Sequence, residues 1–286
     1  MDSCISLVFE TFKTCGVAID TLLKNPSTQY LASQNSSGDT QLQVDVQADK
    51  LIEDKLLVLE CVKGVCSEEK QEAVYKTQSS GQLLIAYDPL DGSSLVDSNL
   101  SIGTIFGIYD THFEANKLLA SGYIVYGPRL EIVLAHTQVE HWRYCGGVWQ
   151  NLGVLQLGKK GKINAPGGTQ QYWAPHHKAL IDSLFAQGYR LRYSGGMVPD
   201  LHQILIKGGG LFTYPATQDA PKGKLRKLFE VFPLAFVYER AGGKAIDGKN
   251  RLLELGVERI HDTTQCFFGS SEEIMQVIEA YKLANA

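Results

Sequence analysis

Apolar residues recur at helical spacing between Leu7 and Leu23, at Leu7, Val8, Phe12, Val17, Ile19, Leu22 and Leu23, and stop before Asn25-Pro26. This predicts a first helix. The polar run Ser33 to Gln43 reads as a loop, and Val44 to Asp49 leads into a second helix carrying Leu51, Ile52, Leu56, Leu57 and Leu59. The pattern then shortens into runs rich in β-branched and aromatic residues. Val62 to Val65, Leu83 to Tyr87, Ile102 to Tyr109, Leu119 to Tyr126 and Glu131 to His136 predict consecutive strands in a mixed sheet.

The stretch Gly146 to Gly161 is rich in glycine, so a domain boundary is placed near residue 158, dividing 1–158 from 159–286. Beyond it, Lys178 to Gln187 and Leu201 to Ile206 are helix-like. Lys224 to Ala241 reads as one long helix kinked at Pro233 and closed by Gly242-Gly243. A strand at Gln265 to Phe268 and a terminal helix from Ser271 to Leu283 complete the pattern, and no internal repeat is visible.

With 286 residues, 44% apolar and 20% charged, the chain has the composition of a folded globular protein. Its formal net charge of −4 gives no general attraction to nucleic acid or to an anionic membrane, so any phosphate site must be built locally. No run approaches the length of a membrane-spanning helix, and the N-terminus lacks a secretory layout. A cytoplasmic location is expected, with the plastid as the alternative if a transit peptide has been trimmed. The six cysteines form no C-x-x-C pair, which argues against a cysteine-built zinc site. Cys61 and Cys66, five apart, are the pair considered for a bridge in an oxidising compartment.

Three segments each place two carboxylates at a predicted element end: Asp45 with Asp49, Glu68 with Glu69, and Asp88 with Asp91. Any one pair alone reads as solvated loop acids. If the three converge, their mutual repulsion calls for hard divalent cations, magnesium or manganese, and two or three ions would fit. In Asp88-Pro89-Leu90-Asp91-Gly92-Ser93-Ser94 the proline and glycine predict a tight turn from which two acids and two hydroxyls project. The amides of Gly92, Ser93 and Ser94 would then receive a phosphate.

D-P-L-D-G-S-S following S-E-E resembles the metal-dependent sugar bisphosphatases of the fructose-bisphosphatase and inositol-monophosphatase superfamily. Further matches are Arg192 to Asp200 (R-Y-S-G-G-M-V-P-D), Tyr214-Pro215, Pro221 to Arg226 (P-K-G-K-L-R), Glu230 and Ala241-Gly242-Gly243, so the resemblance spans nearly the whole chain. It implies an α/β protein with the layered α/β/α/β/α sugar-phosphatase fold. The N-terminal half would supply most metal ligands and the loop for the cleaved phosphate, and the C-terminal half the distal phosphate site.

The resemblance implies that Glu68, Glu69, Asp88, Asp91 and Glu230, with the Leu90 carbonyl, hold magnesium, manganese substituting, at two to three ions per subunit. Asp49, with Asp45 as second choice, and Glu69 would assist the attacking water. Asp91, Gly92, Ser93 and Ser94 would hold the phosphate that is cleaved. Asn164, Tyr193, Tyr214 and Lys224 match the distal phosphate site, and Arg192 would reach in from a neighbouring subunit of a homodimer or homotetramer. The family tyrosine after Asn164 is absent, where A-P-G-G stands instead. Gly195, Gly196 and Met197 would line the sugar, and Arg226 lies either at the surface or facing phosphate.

Two variants set a substrate expectation. Gly196 stands where fructose-bisphosphatases usually carry serine, and Tyr126-Gly127-Pro128-Arg129 follows the central strand; both resemble sedoheptulose-bisphosphatase. The loss of a hydroxymethyl at Gly196 would give room for a seven-carbon chain. The expected reaction is therefore hydrolysis of sedoheptulose 1,7-bisphosphate to sedoheptulose 7-phosphate and phosphate, in pentose-phosphate or Calvin-type metabolism. Fructose-1,6-bisphosphatase or dual specificity is the alternative, and an inactive phosphosugar sensor the remaining one. Neither AMP control nor a thioredoxin switch at Cys4 and Cys15 is expected.

Overall fold

The computed structural model describes residues 1–24, 30–34 and 40–283, so the centre of the predicted loop over 33–43 lies outside the described residues. Its ends belong to short antiparallel strands, β1 (Tyr30–Gln34) and β2 (Thr40–Leu42). The first helix, α1 (Asp2–Leu23), begins five residues before the predicted start, and α2 (Gln43–Leu57) follows as predicted.

Seven long strands and one short one form the main sheet: β3 (Val62–Ser67), β4 (Val74–Tyr75), β5 (Leu83–Asp91), β6 (Ile102–Asp110), β7 (Leu118–Tyr126), β8 (Leu130–Ala135), β9 (Val139–Cys145) and β10 (Val148–Val154). Their order is β10-β9-β8-β7-β6-β5-β3-β4, antiparallel except for the β3/β5 pair. β5 to β8 read as near-continuous apolar runs because both faces of the sheet are covered. On one face Tyr87, Phe106, Ile108 and Ile124 meet Ile5, Val8, Phe12 and Ile19 of α1 together with Ala48 and Ile52 of α2. Phe12 stacks on Phe106 with centroids 3.7 Å apart.

The opposite face, through Leu84, Ile105, Tyr123 and Val133, packs on α4 (Met197–Ile206) and α5 (Phe232–Arg240). Behind those helices lies a five-stranded sheet of order β12-β11-β13-β17-β15, built from β11 (Ile163–Pro166), β12 (Arg190–Leu191), β13 (Leu211–Tyr214), β15 (Lys244–Ile246) and β17 (Cys266–Gly269). β14 (Leu225–Arg226) and β16 (Thr263–Thr264) make a separate small pair. α3 (Pro175–Ala186) and α6 (Ser271–Leu283) cover the outer face through Leu180, Leu184, Ile274 and Val277. The layers run α/β/α/β/α, as expected. The middle core draws residues from both sides of position 158.

Three local expectations are revised. The glycine-rich stretch opens with an unforeseen strand pair, because Gly146 and Gly147, at φ 61° and 84°, turn β9 into β10 within two residues. The long helix over 224–241 is β14, then one wide π-type turn at Lys227–Val231, then α5. Pro233 is the second residue of α5, directly after that π-type turn, so the irregularity in the helical stretch lies in the turn preceding the proline. Cys66 belongs to the middle core while Cys61 packs against the outer one, so these two thiols do not face each other, and all six cysteines are free.

Candidate active site

Asp88 and Asp91 are three residues apart and in a regular strand would point to opposite faces of the sheet. Here β5 continues through them, paired with β6 at Asp88↔Ile105 and Asp91↔Gly103, with one extra residue on the β5 side. This bulge shifts the alternation by one, as bulges do beside functional sites, and brings both carboxylates to one place. Pro89 is accommodated there because a bulge asks no ladder hydrogen bond of it, and its carbonyl accepts the Thr104 hydroxyl at 2.8 Å. The predicted tight turn is thus a bulged strand end, and the chain turns only at Gly92, at φ 78°, into the short 3₁₀ turn Ser93–Ser98.

Glu230 arrives from the π-type turn, a distortion common at functional sites. Carboxylate oxygens of Asp88, Asp91 and Glu230 lie within 4.8 Å of one another, and all three residues are buried. Asp91 accepts the Val198 amide at 2.6 Å and the Met197 amide at 3.4 Å, both from the first turn of α4. Arg226 bridges the acids: its guanidinium lies 2.5 Å from Glu68, and its backbone amide donates to Glu230 at 2.7 Å. It does not line the cleft described below.

Burial pushes the Glu68 carboxyl up to about 8 against the pull of Arg226. Burial likewise takes Asp91 up to about 7, opposed by the Val198 amide, while Asp88 is raised well above the carboxylate range by burial and by Glu68. Glu230 moves up for the same first reason. Four acids that resist carrying charge together, offering only oxygen donors, fit divalent hard cations.

Asp49 sits on the α2 side of the sheet. Its carboxylate accepts the Tyr87 hydroxyl at 2.9 Å and pairs with Lys70 at 3.2 Å, and Lys70 also binds Glu53. Asp45 is buried on the same helix, and Glu69, whose amide donates to Ser67 Oγ at 3.3 Å, is half-buried. Asp45, Asp49, Glu68 and Glu69 lie outside the trio around Asp88. Tyr87 and Lys70 were not foreseen, although one adjoins Asp88 and the other follows S-E-E directly.

A cleft of about 120 Å³ opens from Asp91 and Gly92 and is lined by Tyr193, Gly195, Gly196, Met197, Tyr214 and Lys224. Burial raises both phenols, so they stay protonated donors. Gly167 allows the two rings to close in: a Cβ there would lie 2.6 Å from Tyr214 Cδ2 and 3.0 Å from Tyr193 Cε2. Asn164 is fully buried on β11, with neither side-chain polar atom hydrogen-bonded. Arg192 is exposed, its guanidinium on the Leu191 carbonyl. Ser93 is half-buried and Ser94 exposed, following Gly92 in the 3₁₀ turn.

The two features that suggested a seven-carbon sugar do not open this cleft. A Cβ built on Gly196 would lie 3.0 and 3.1 Å from Pro199 Cγ and Cδ and 3.3 Å from Leu95, so the missing side chain is replaced by Pro199 and not by free space. Tyr126 is buried against Thr104 at 2.8 Å, and Gly127, Pro128 and Arg129 line a different cavity.

A bulged strand that gathers carboxylates beside a phenol- and lysine-lined cleft, in this five-layer fold, is the arrangement of a sugar-bisphosphate phosphatase. The chain overlays a fructose-1,6-bisphosphatase of Leishmania major with a TM-score of 0.92 at 29% identity, covering 98% of this chain and 94% of that one. It overlays a candidate sedoheptulose-1,7 bisphosphatase of Toxoplasma gondii with a TM-score of 0.86 at 31% identity, over 94% and 91%. Residues 28–148 match the fructose-1-6-bisphosphatase N-terminal domain and residues 157–282 its C-terminal domain. A class 1 fructose-1,6-bisphosphatase of Helicobacter hepaticus is 63% identical over 278 residues, 97% of this chain and 100% of that one. One of Campylobacter jejuni subsp. doylei is 52% identical over 92% and 94%. The chain belongs to the class 1 fructose-1,6-bisphosphatase family. It is a hydrolase acting on sugar bisphosphates, and no described helix is long and apolar enough to cross a membrane.

Proposed function

We propose that the chain removes the 1-phosphate of fructose 1,6-bisphosphate, leaving fructose 6-phosphate and inorganic phosphate. The observation that carries this is shared lining: Asp91 belongs both to the carboxylate trio and to the cleft bounded by Tyr193, Tyr214 and Lys224. An acidic end suited to cations and a phenol-and-ammonium end suited to an anion match a substrate with a phosphate at each end.

Asp88, Asp91, Glu230, Glu68 and Glu69, with the Leu90 carbonyl, would hold two to three magnesium ions, manganese substituting. Such ions supply Lewis-acid stabilisation of charge on the phosphoryl and leaving oxygens. Arg226 opposes the burial that raises Glu68 and Glu230 and holds both in place. The Gly92 amide and the Ser93 and Ser94 hydroxyls orient the cleaved phosphate. Asp49, held by Tyr87 and Lys70, and Glu69 orient the attacking water and take its proton, with Asp45 the other candidate. The Tyr193 and Tyr214 hydroxyls, Lys224 and Asn164 hold the 6-phosphate, and Arg192 completes that subsite in a neighbouring subunit of a homodimer or homotetramer.

The six-carbon substrate is favoured over the seven-carbon one because Pro199 fills the space beside Gly196 and because the curated relatives at 47–63% identity are fructose-1,6-bisphosphatases. The test is phosphate release from both bisphosphates side by side, with magnesium and with chelator. The higher kcat/KM is expected for fructose 1,6-bisphosphate, with no release in chelator. A higher value for sedoheptulose 1,7-bisphosphate would reverse the substrate assignment, and chelator-resistant release would remove the metal from it.

A further inference from the structure

A second cluster of ligand-type side chains lies on the middle face of the main sheet, away from the reaction described above. Glu131 of β8 is the cross-strand partner of Arg143, and His141 of β9 is paired one step along the same face with Val133. α4 lies over them and contributes His202. Both histidines present Nε2 to one oxygen, Glu131 Oε2, at 2.9 Å for His141 and 3.2 Å for His202. The three side chains are only 8%, 9% and 15% exposed.

We propose that Glu131, His141 and His202 form a site for a borderline divalent transition metal of the zinc class, distinct from the carboxylate centre. One ligand atom from each residue falls within a 4.8 Å group, close enough to surround an ion whose Zn–N and Zn–O bonds are about 2.0–2.2 Å. Two imidazoles and one carboxylate select zinc, cobalt or nickel, whereas the all-oxygen set around Asp88 selects magnesium or manganese. Nothing in phosphoester hydrolysis at Asp91 uses this cluster.

The ligands are held from behind, as outer-shell partners hold them in metal sites. Arg143 Nε donates to Glu131 Oε1 at 2.7 Å, which fixes the carboxylate and leaves Oε2 toward the imidazoles. The Tyr123 hydroxyl lies 3.1 Å from His202 Nδ1. It donates to Nδ1 while Nε2 carries the proton and accepts from Nδ1–H once Nε2 is a ligand, so the ring need not move. Burial lowers the pKa of His202, keeping it in the neutral form that binds metal. Glu131 and His202 also border a cavity of about 320 Å³, giving an ion a way in and a fourth position for water. Arg143 and Arg129, the latter 3.5 Å from Oε1, oppose the ion's charge and moderate its affinity. Because His202 and the two amides that hold Asp91 share α4, an ion here ties that helix to β8 and β9 and raises thermal stability.

The full chain, saturated with magnesium, is titrated with cobalt(II) followed by visible absorption, and with zinc followed by X-ray absorption. One ion per chain with imidazole ligands is expected to persist in excess magnesium and to raise the unfolding midpoint. The acids around Asp88 supply no imidazole, so the signal separates the two centres. His141→Gln and His202→Gln should each weaken binding by about tenfold or more. Should either fail to fold, Tyr123→Phe keeps every ligand and should still weaken binding by about tenfold. Cobalt displaced entirely by magnesium, absent imidazole scattering, or affinity unchanged in the variants would overturn the site.

Discussion

Gly196→Ser restores the residue that related enzymes usually carry, and the structure gives it a cost. Gly196 is the N-cap of α4 at φ −107° and ψ 139°, a conformation open to any residue, so the backbone raises no objection. The obstacle is packing: the new Cβ would sit 3.0 Å from Pro199 Cγ, 3.1 Å from Cδ and 3.3 Å from Leu95 Cδ1. Overpacking of this kind costs about 1–3 kcal/mol. A serine N-cap would ordinarily offset part of that by accepting an amide of the second or third helical residue. Here the second, Val198, already donates to Asp91 at 2.6 Å, and the third is Pro199, which has no N–H. The single variant should therefore lose about 1–2 kcal/mol, a fall of about 2–4 °C or more in Tm for a chain of this size.

Gly196→Ser with Pro199→Ala removes the clash and supplies the missing N–H, so the pair should recover most of the loss and show a coupling of about 1–2 kcal/mol in a double-mutant cycle. Denaturant unfolding of the four proteins measures it. The ratio of kcat/KM for the seven- and six-carbon substrates should move by less than about threefold in all of them, since the added Cβ meets Pro199 and Leu95. A tenfold shift in that ratio with unchanged Tm would show that position 196 faces the substrate and that the packing analysis is wrong.

Asp91→Asn keeps the shape but weakens both the carboxylate trio and the grip on the Val198 amide; phosphate release should fall by about a thousandfold or more, while far-UV circular dichroism stays native. Arg226→Met leaves Glu68 and Glu230 buried without their cation, a change of the kind that costs about 3–5 kcal/mol; the metal-free protein should melt far below wild type, and magnesium should recover much of the difference, so an equal deficit with and without magnesium would be inconsistent with its proposed placement. His177 is fully buried against Trp173, and burial, then His176, lowers its pKa to about 3. The unfolded chain therefore binds one more proton between its ordinary value near 6.5 and about 3, so stability is lost as pH falls through that window, by at most about 1.4 kcal/mol per pH unit; His177→Phe should flatten this slope in urea titrations from pH 7 to 4.

What was legible in the sequence follows from the range of the interactions involved. α1, α2, α6 and β5 to β8 were visible because each announces its buried face through its own spacing, and the core then honours that spacing. The acids were visible because S-E-E and D-P-L-D are contiguous. Their convergence was expected, but how it is achieved was not legible, since that depends on an extra residue whose effect shows only against β6 and on a π-type turn 139 positions from Asp91 in sequence. β9 was obscured differently: V-E-H-W-R-Y-C puts His141 and Arg143 on the same face as Val139 and so shows no apolar–polar alternation, and the nearby glycines marked a break until their positive φ values revealed a two-residue turn.

Gly196 shows why a single position is a weak guide to substrate. Considered alone it is a deletion beside the sugar; considered with Pro199 it is one half of an exchange, in which the atoms removed at the N-cap return as a ring three residues later and the amide that a serine would have capped disappears with it. The two are adjacent only once α4 is wound. The same winding sets His202 over Glu131 while aiming the amides of Met197 and Val198 at Asp91, so this one short helix joins the carboxylate trio, the cleft beside it and the histidine cluster. Function in this chain is therefore concentrated where separate segments meet across α4, and a residue there has to be interpreted through its partners on the neighbouring turn and strand.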